Sequence, residues 1–191
     1  MAENGGATKK KALLVLADGF EDIEAVAPFD ILKRAGVTVK IASLGSQDVE
    51  SARGLKITAD TVLDNVKEEE FDCIVLPGGS GGAEKLSKSA KLTALIQKMS
   101  KNGKIIAAIC ASPAWVLAPA GILDGKNATY YPGAEKSFSA KTNYINKEVV
   151  VDENIVTSQG PATAFLFGIK IVEMLRGSNV ADTIKKNLLI E

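Results

Sequence analysis

The sequence predicts an α/β domain, a mostly parallel sheet with helices on both faces. Three observations point there. Short apolar runs of strand length alternate with longer helix-like stretches, the order that builds a parallel sheet with covering helices. Glycine, proline or aspartate punctuates most boundaries between these segments. The chain has 191 residues, 46% of them apolar and 24% charged, which suits one domain with a proper core. Residues 1–10 are expected to be a disordered leader, and residues 11–191 a single domain.

Residues 12–17 are the first strand, closed by the turn signal Asp18-Gly19. A helix follows over 20–35, with Glu21, Asp22 and Glu24 in its first turns, where carboxylates favour the positive end of the dipole. Gly36 stops it. Pro28 lies inside and cannot donate to the carbonyl of Glu24, so a bend is expected there. Phe20, Ile23, Val26, Ala27, Phe29, Ile31 and Leu32 cover most of its circumference, more than one sheet can bury. A homodimer contact through this helix would supply the second surface.

Residues 37–43 form the second strand. Arg53-Gly54 makes a turn in a polar region that leads into a short strand or hairpin over 57–62. The strand 71–76 runs into Pro77-Gly78-Gly79-Ser80-Gly81-Gly82, followed by a helix over 83–100 interrupted near 87–89. Residues 149–151 and 155–158 pair as a hairpin. Pro161 opens an amphipathic helix over 162–176 that Gly177 ends.

Residues 105–123 carry no charge, and about 18 apolar residues can span a bilayer. Two prolines and a glycine in its second half oppose one continuous helix. The run divides into a strand at 105–109, a sharp turn at Cys110-Ala111-Ser112 and a short helix over 113–118, with Ser112 as N-cap and Pro113 at its first position.

Lysine plus arginine equals aspartate plus glutamate, 23 each, so charge suggests neither a nucleic-acid nor an anionic-membrane partner. The first residues lack the apolar core of a signal peptide. Two cysteines, Cys73 and Cys110, make no disulfide framework, and a reducing cytoplasmic setting is expected. The histidine count is zero, which excludes Ser-His-Asp and Cys-His catalysis and imidazole-bound zinc. Proton transfer must then use a carboxylate, thiol, phenol, lysine or water.

In a parallel sheet, sites form outside the C-terminal strand ends. Four loops, 18–24, 77–82, 110–112 and 158–161, should meet there. Cys110, beside a helix start, is either a buried structural cysteine or a thiol of lowered pKa poised as a nucleophile. Cys73, within a strand, should be inert. Glu24 has the neighbours Phe20, Ala27, Pro28 and Ile31 at helical spacing; it is either a carboxyl of raised pKa or a solvated first-turn glutamate. The glycines at 78–82 fit neither G-x-G-x-x-G nor a Gly-Lys-Ser/Thr loop. They serve as oxyanion-hole amides or as a purely conformational turn.

Gly19-Phe20-Glu21-Asp22-Ile23-Glu24-Ala25, Leu76-Pro77-Gly78-Gly79, Ala107-Ala108-Ile109-Cys110-Ala111 and Thr157-Ser158-Gln159-Gly160-Pro161 together resemble the ThiJ/PfpI superfamily, in the branch of the Parkinson-disease protein deglycase, DJ-1. The similarity runs from about residue 11 to about 189. It implies a flavodoxin-like three-layer sandwich, homodimeric through the first helix. It makes Cys110 the nucleophile and oxidation-prone thiol, and Glu24 the protonated carboxyl touching its sulfur. The Gly79 and Ala111 amides become the oxyanion site and Gly78 shapes the turn. Arg53 matches a pocket-edge arginine contributed across the dimer, and Tyr131 and Ser158 complete the substrate-binding set.

Two departures narrow the expectation. Protease-like relatives place histidine after the cysteine, where this chain has Ala111. Animal members have a pocket histidine where Tyr131 stands, and a phenol is a poor base near neutral pH. The activity implied is a cofactor-independent glyoxalase or deglycase acting on methylglyoxal, glyoxal or their adducts. The alternative is a redox sensor or chaperone whose Cys110 becomes a sulfinate. A flavin-binding module is disfavoured because no aromatic-flanked phosphate loop follows the first strand.

Overall fold

A computed structural model describes residues 9–134 and 141–190, so most of the expected leader lies outside the described residues. Strand β1 (Lys11–Leu16) is buried along all but its first residue, and that continuous apolar run suits a strand covered on both faces. It is followed by α1 (Asp22–Arg34), β2 (Thr38–Ser43), the hairpin β3 (Asp48–Glu50) and β4 (Lys56–Thr58), and β5 (Thr61–Val62). Next come β6 (Cys73–Leu76), α2 (Ser80–Ser87), α3 (Ala90–Lys101) and β7 (Ile105–Ile109). The chain ends with β8 (Asn127–Ala128), β9 (Asn143–Tyr144), β10 (Val149–Asp152), β11 (Ile155–Ser158), α4 (Ala164–Arg176) and α5 (Ser178–Asn187).

Seven strands make the main sheet in the order β10-β11-β7-β6-β1-β2-β5. All neighbours are parallel except the β10–β11 hairpin. Strand alternation divides the core in two. Leu14, Leu16, Val75, Ala107 and Ile109 pack with α1 and α4. Leu13, Val15, Ile74, Leu76 and Ala108 pack with α3. The α1–α4 contact is close: a Cβ on Gly168 would lie 2.8 Å from Ile31 Cδ1 and 3.2 Å from Pro28 Cα. Glycine is therefore what lets α4 seat against the turn containing Pro28.

Parallel pairing of β1, β6, β7 and β11 carries their C-terminal ends to one edge of the sheet, and all four expected loops meet there. Several local expectations change. Helix α2 starts at Ser80, so Gly81 and Gly82 belong to its first turn; a Cβ on Gly82 would come 2.9 Å from Phe20 Cα. Ser112 is not an N-cap. It is already helical, and its hydroxyl donates to the Pro77 carbonyl at 2.6 Å. The segment after it, Pro113–Leu117, is a single wide π-type turn. Gly177, with φ of 87°, ends α4 and immediately opens α5, whose buried Ala181 and Ile184 dock on the core. A glycine stop conceals such a continuation, because only the packing shows that the chain turns back. Among the described residues no helix is long and apolar enough to cross a membrane.

Candidate active site

Cys110 follows β7 with φ of 66°, a left-handed conformation that costs a non-glycine residue about 1–3 kcal/mol. Its surroundings hold it there. The Cys110 amide donates to the Ser158 carbonyl at 2.9 Å, and the Tyr131 amide donates to the Cys110 carbonyl at 2.9 Å. This elbow turns the thiol away from the sheet toward the loop after β6. Cys110 is 9% exposed, whereas Cys73 is 0% exposed and raised well above the usual thiol range by burial. Both thiols are free.

Glu24 is 0% exposed, so the solvated first-turn alternative is gone. Glu21 makes this possible by acting as the N-cap of α1: its Oε2 accepts from the Glu24 amide at 2.8 Å. Glu21 thus takes the cap, and Glu24 turns inward, its Oε2 accepting from the Gly78 amide at 2.8 Å. The Glu21 amide in turn donates to the Gly78 carbonyl at 3.1 Å, binding α1 to the glycine loop from both sides. Glu24 Oε1 is buried without a conventional hydrogen-bond partner, and the Cys110 thiol is the carboxyl's other polar neighbour. Burial raises Glu24 from 4.5 to about 7, opposed by the Cys110 and Gly78 hydrogen bonds and aided by the Glu21 charge.

Of the two alternatives for Cys110, a lowered pKa is not the one its surroundings favour. Burial and the Glu24 charge push the thiol up to about 12, against the Gly79 and Ala111 amides, which lower it. One short π-type turn supplies too little dipole to reverse desolvation and a neighbouring carboxylate. The two groups therefore share a proton economy near neutrality. With Glu24 ionised the thiol keeps its proton, and with Glu24 neutral the repulsion on the sulfur disappears.

The glycine loop has divided roles. The Gly78 amide is engaged by Glu24, so it is unavailable to an oxyanion. The Gly79 and Ala111 amides face the sulfur. Gly79 has φ of 84°, and a Cβ there would sit 2.4 Å from the Gly19 carbonyl oxygen. A cleft of about 400 Å³ opens above the thiol, lined by Glu21, Arg53, Ser80, Trp115, Tyr131 and Pro161 among others. Arg53 lines it from the β3–β4 turn of its own chain. That turn is held to α1 by Ser51, whose hydroxyl donates to Asp22 at 2.7 Å and accepts from the Arg53 and Leu55 amides. Tyr131 is half-exposed at the mouth. Ser158 does not line the cleft: its hydroxyl donates to the Glu148 carbonyl at 2.7 Å and is shared with Thr163, while its carbonyl anchors Cys110. Sequence reasoning missed Trp115 in the wall and the capping role of Glu21. Among the described residues no group of three or more histidine, cysteine or acidic side chains could hold a metal ion.

Residues 10–174 match the model of the DJ-1/PfpI family. The chain belongs to this family. DJ-1 relatives match over most of its length. It is 40% identical to the Drosophila melanogaster Protein dj-1beta, over 95% of this chain and 97% of that protein. The crystal structure of Drosophila melanogaster DJ-1beta superposes with a TM-score of 0.92, covering 96% of this chain and 100% of the other. "Toxoplasma gondii DJ-1, oxidized" superposes with a TM-score of 0.90 at 41% identity, covering 94% and 98% of the two chains. A Caenorhabditis elegans relative named "Glutathione-independent glyoxalase DJR-1.2" is 35% identical over 96% of this chain and 98% of its own. The Arabidopsis thaliana "Protein DJ-1 homolog B" is 43% identical over 93% of this chain, which spans only 41% of that longer protein. The flavodoxin-like DJ-1 fold and the family expected from the four motifs are thus established.

Proposed function

We propose that this protein is a cysteine-dependent, cofactor-independent glyoxalase or deglycase acting on methylglyoxal, glyoxal or their early protein adducts, with a protective role in carbonyl and oxidative stress. The observation that carries the reading is the pair itself. A fully buried carboxyl, its proton affinity raised by burial, touches a strained, cleft-facing thiol, in a protein without histidine. The name of the Caenorhabditis elegans relative supports it.

Because the thiol rests protonated, Glu24 carboxylate acts first as the base. It takes the Cys110 proton as the sulfur adds to the aldehyde carbon of methylglyoxal and passes it to the new alkoxide, which the Gly79 and Ala111 amides stabilise, so that a neutral hemithioacetal forms and Glu24 is again a carboxylate. Glu24 then moves a proton from the former aldehyde carbon to the adjacent carbonyl carbon, through an enediol, leaving a thioester on Cys110. Water hydrolyses the thioester, releasing lactate and restoring the thiol. The net change is addition of one water, so no redox cofactor is consumed. Arg53 and Tyr131 orient larger adducts at the mouth, and Ser158 supports the elbow from behind. Purified protein given methylglyoxal without glutathione should release lactate, and Cys110→Ala should abolish it; an unchanged rate in the variant overturns the mechanism.

The same geometry supports a second reading, a redox sensor or chaperone in which Cys110 is oxidised to a sulfinate held by protonated Glu24. Mild peroxide should add two oxygens to Cys110 and none to Cys73, read by mass spectrometry, and equal labelling of both would count against it. The exposed Ile23 and Val26 on α1 favour a homodimer through that helix, and two unpaired thiols suit a reducing cytoplasmic setting.

A further inference from the structure

Ser112 stands two residues past the nucleophile, fully buried, and no step above uses it. Its hydroxyl donates to the Pro77 carbonyl at 2.6 Å. The amide of the same peptide group, Gly78 N–H, donates to Glu24 Oε2 at 2.8 Å. The peptide bond is planar and trans, so its C=O and N–H point in opposite directions as one rigid dipole. Ser112 and Glu24 therefore grip opposite ends of a single group.

We propose that Ser112 is a positioning residue for Glu24: through the Pro77–Gly78 peptide it fixes the direction of the Gly78 amide, strengthens it as a donor, and so holds down the proton affinity of the catalytic carboxyl. Two physical effects carry this. A donor on a carbonyl polarises the amide and strengthens the next bond in the chain by about 10–30%. A second anchor also stops the peptide plane from swinging, and a glycine has no side chain to do so. The arrangement links the nucleophile's own elbow to its base, so a shift of the elbow is felt at Glu24. Two other ionisable groups act on the carboxyl, Glu21 on α1 and Cys110 on the elbow, while Arg53 and Tyr131 stand in the cleft wall. None of them is bonded to Ser112, so its replacement leaves them in place.

This deepens the glyoxalase reading, but its test does not depend on turnover. The Glu24 carboxyl can be titrated directly by carbon-13 NMR of glutamate-labelled protein in wild type, Ser112→Ala, Ser112→Gly and Ser112→Thr, with thermal unfolding recorded in parallel. Without the hydroxyl, the Glu24 midpoint should rise from about 7 by about 0.3 unit if only polarisation is lost. It should rise by up to about one unit if the peptide plane turns away. Ser112→Thr, which keeps the donor, should restore the wild-type midpoint. A merely structural serine would lower the unfolding temperature and leave the midpoint still. Folded Ser112→Ala and Ser112→Gly proteins with midpoints within about 0.1 unit of wild type would overturn the proposal, whatever Ser112→Thr does. If the midpoint rises yet wild-type protein makes no lactate, the peptide link stands and the glyoxalase reading falls.

Discussion

Gly78→Ala adds one methyl group at the most crowded point of the site. The new Cβ would lie 2.6 Å from Cys110 Cβ, 2.7 Å from Glu24 Oε2 and 3.0 Å from Cys110 Sγ. Carbon atoms in contact prefer about 3.5–4.0 Å, so the thiol and the carboxyl must separate by about 1 Å. Gly78 does not occupy the left-handed region, so the whole cost is steric and falls on the two reacting groups. Overpacking of this kind costs about 1–3 kcal/mol of stability, which a folded domain can absorb. A displacement of about 1 Å costs catalysis about a hundredfold. Lactate release from methylglyoxal should therefore fall about 100-fold while the protein still unfolds cooperatively. Gly81→Ala is the control, because its Cβ would meet nothing closer than 3.5 Å, and it should keep nearly full activity. Turnover of Gly78→Ala within about twofold of wild type would refute the claim that this contact sets the rate.

Two further outcomes follow from the same geometry. The Glu24 carboxyl binds its proton more tightly folded, at about 7, than its ordinary 4.5, so its contribution to stability is full below that ordinary value and is lost as pH rises through the folded one. Urea unfolding of wild type should lose about 3 kcal/mol across this window relative to Glu24→Gln, and parallel pH profiles would show that burial does not raise the carboxyl. Ile23 and Val26 are 47% and 45% exposed on α1; for the proposed homodimer, Ile23→Glu with Val26→Glu should halve the mass seen by sedimentation without unfolding the chain, and a mass unchanged by the substitutions would refute a dimer through α1.

Much of the architecture was legible from local pattern. Apolar runs bounded by Asp18-Gly19, Pro77-Gly78 and the Cys110 turn are strands whose ends meet, because parallel pairing leaves their C-terminal ends on one side. Helix α5 was not legible, since Gly177 reads locally as a stop and a polar ten-residue segment shows its buried stripe only against α4. Ser112 likewise has the composition of a cap, but its hydroxyl finds a carbonyl 35 residues upstream.

By itself the sequence determined the alternating fold, the elbow cysteine and, through the absence of histidine, that any proton transfer must use a carboxylate, thiol, phenol, lysine or water. Those depend on residue type, short-range dihedral preference and spacing. Only the tertiary structure decided that Glu24 is buried, that Gly78 serves it from 54 residues away, and that the thiol rests protonated. Desolvation, hydrogen bonding and like-charge repulsion set those states, and all come from neighbours that the chain brings together only on folding.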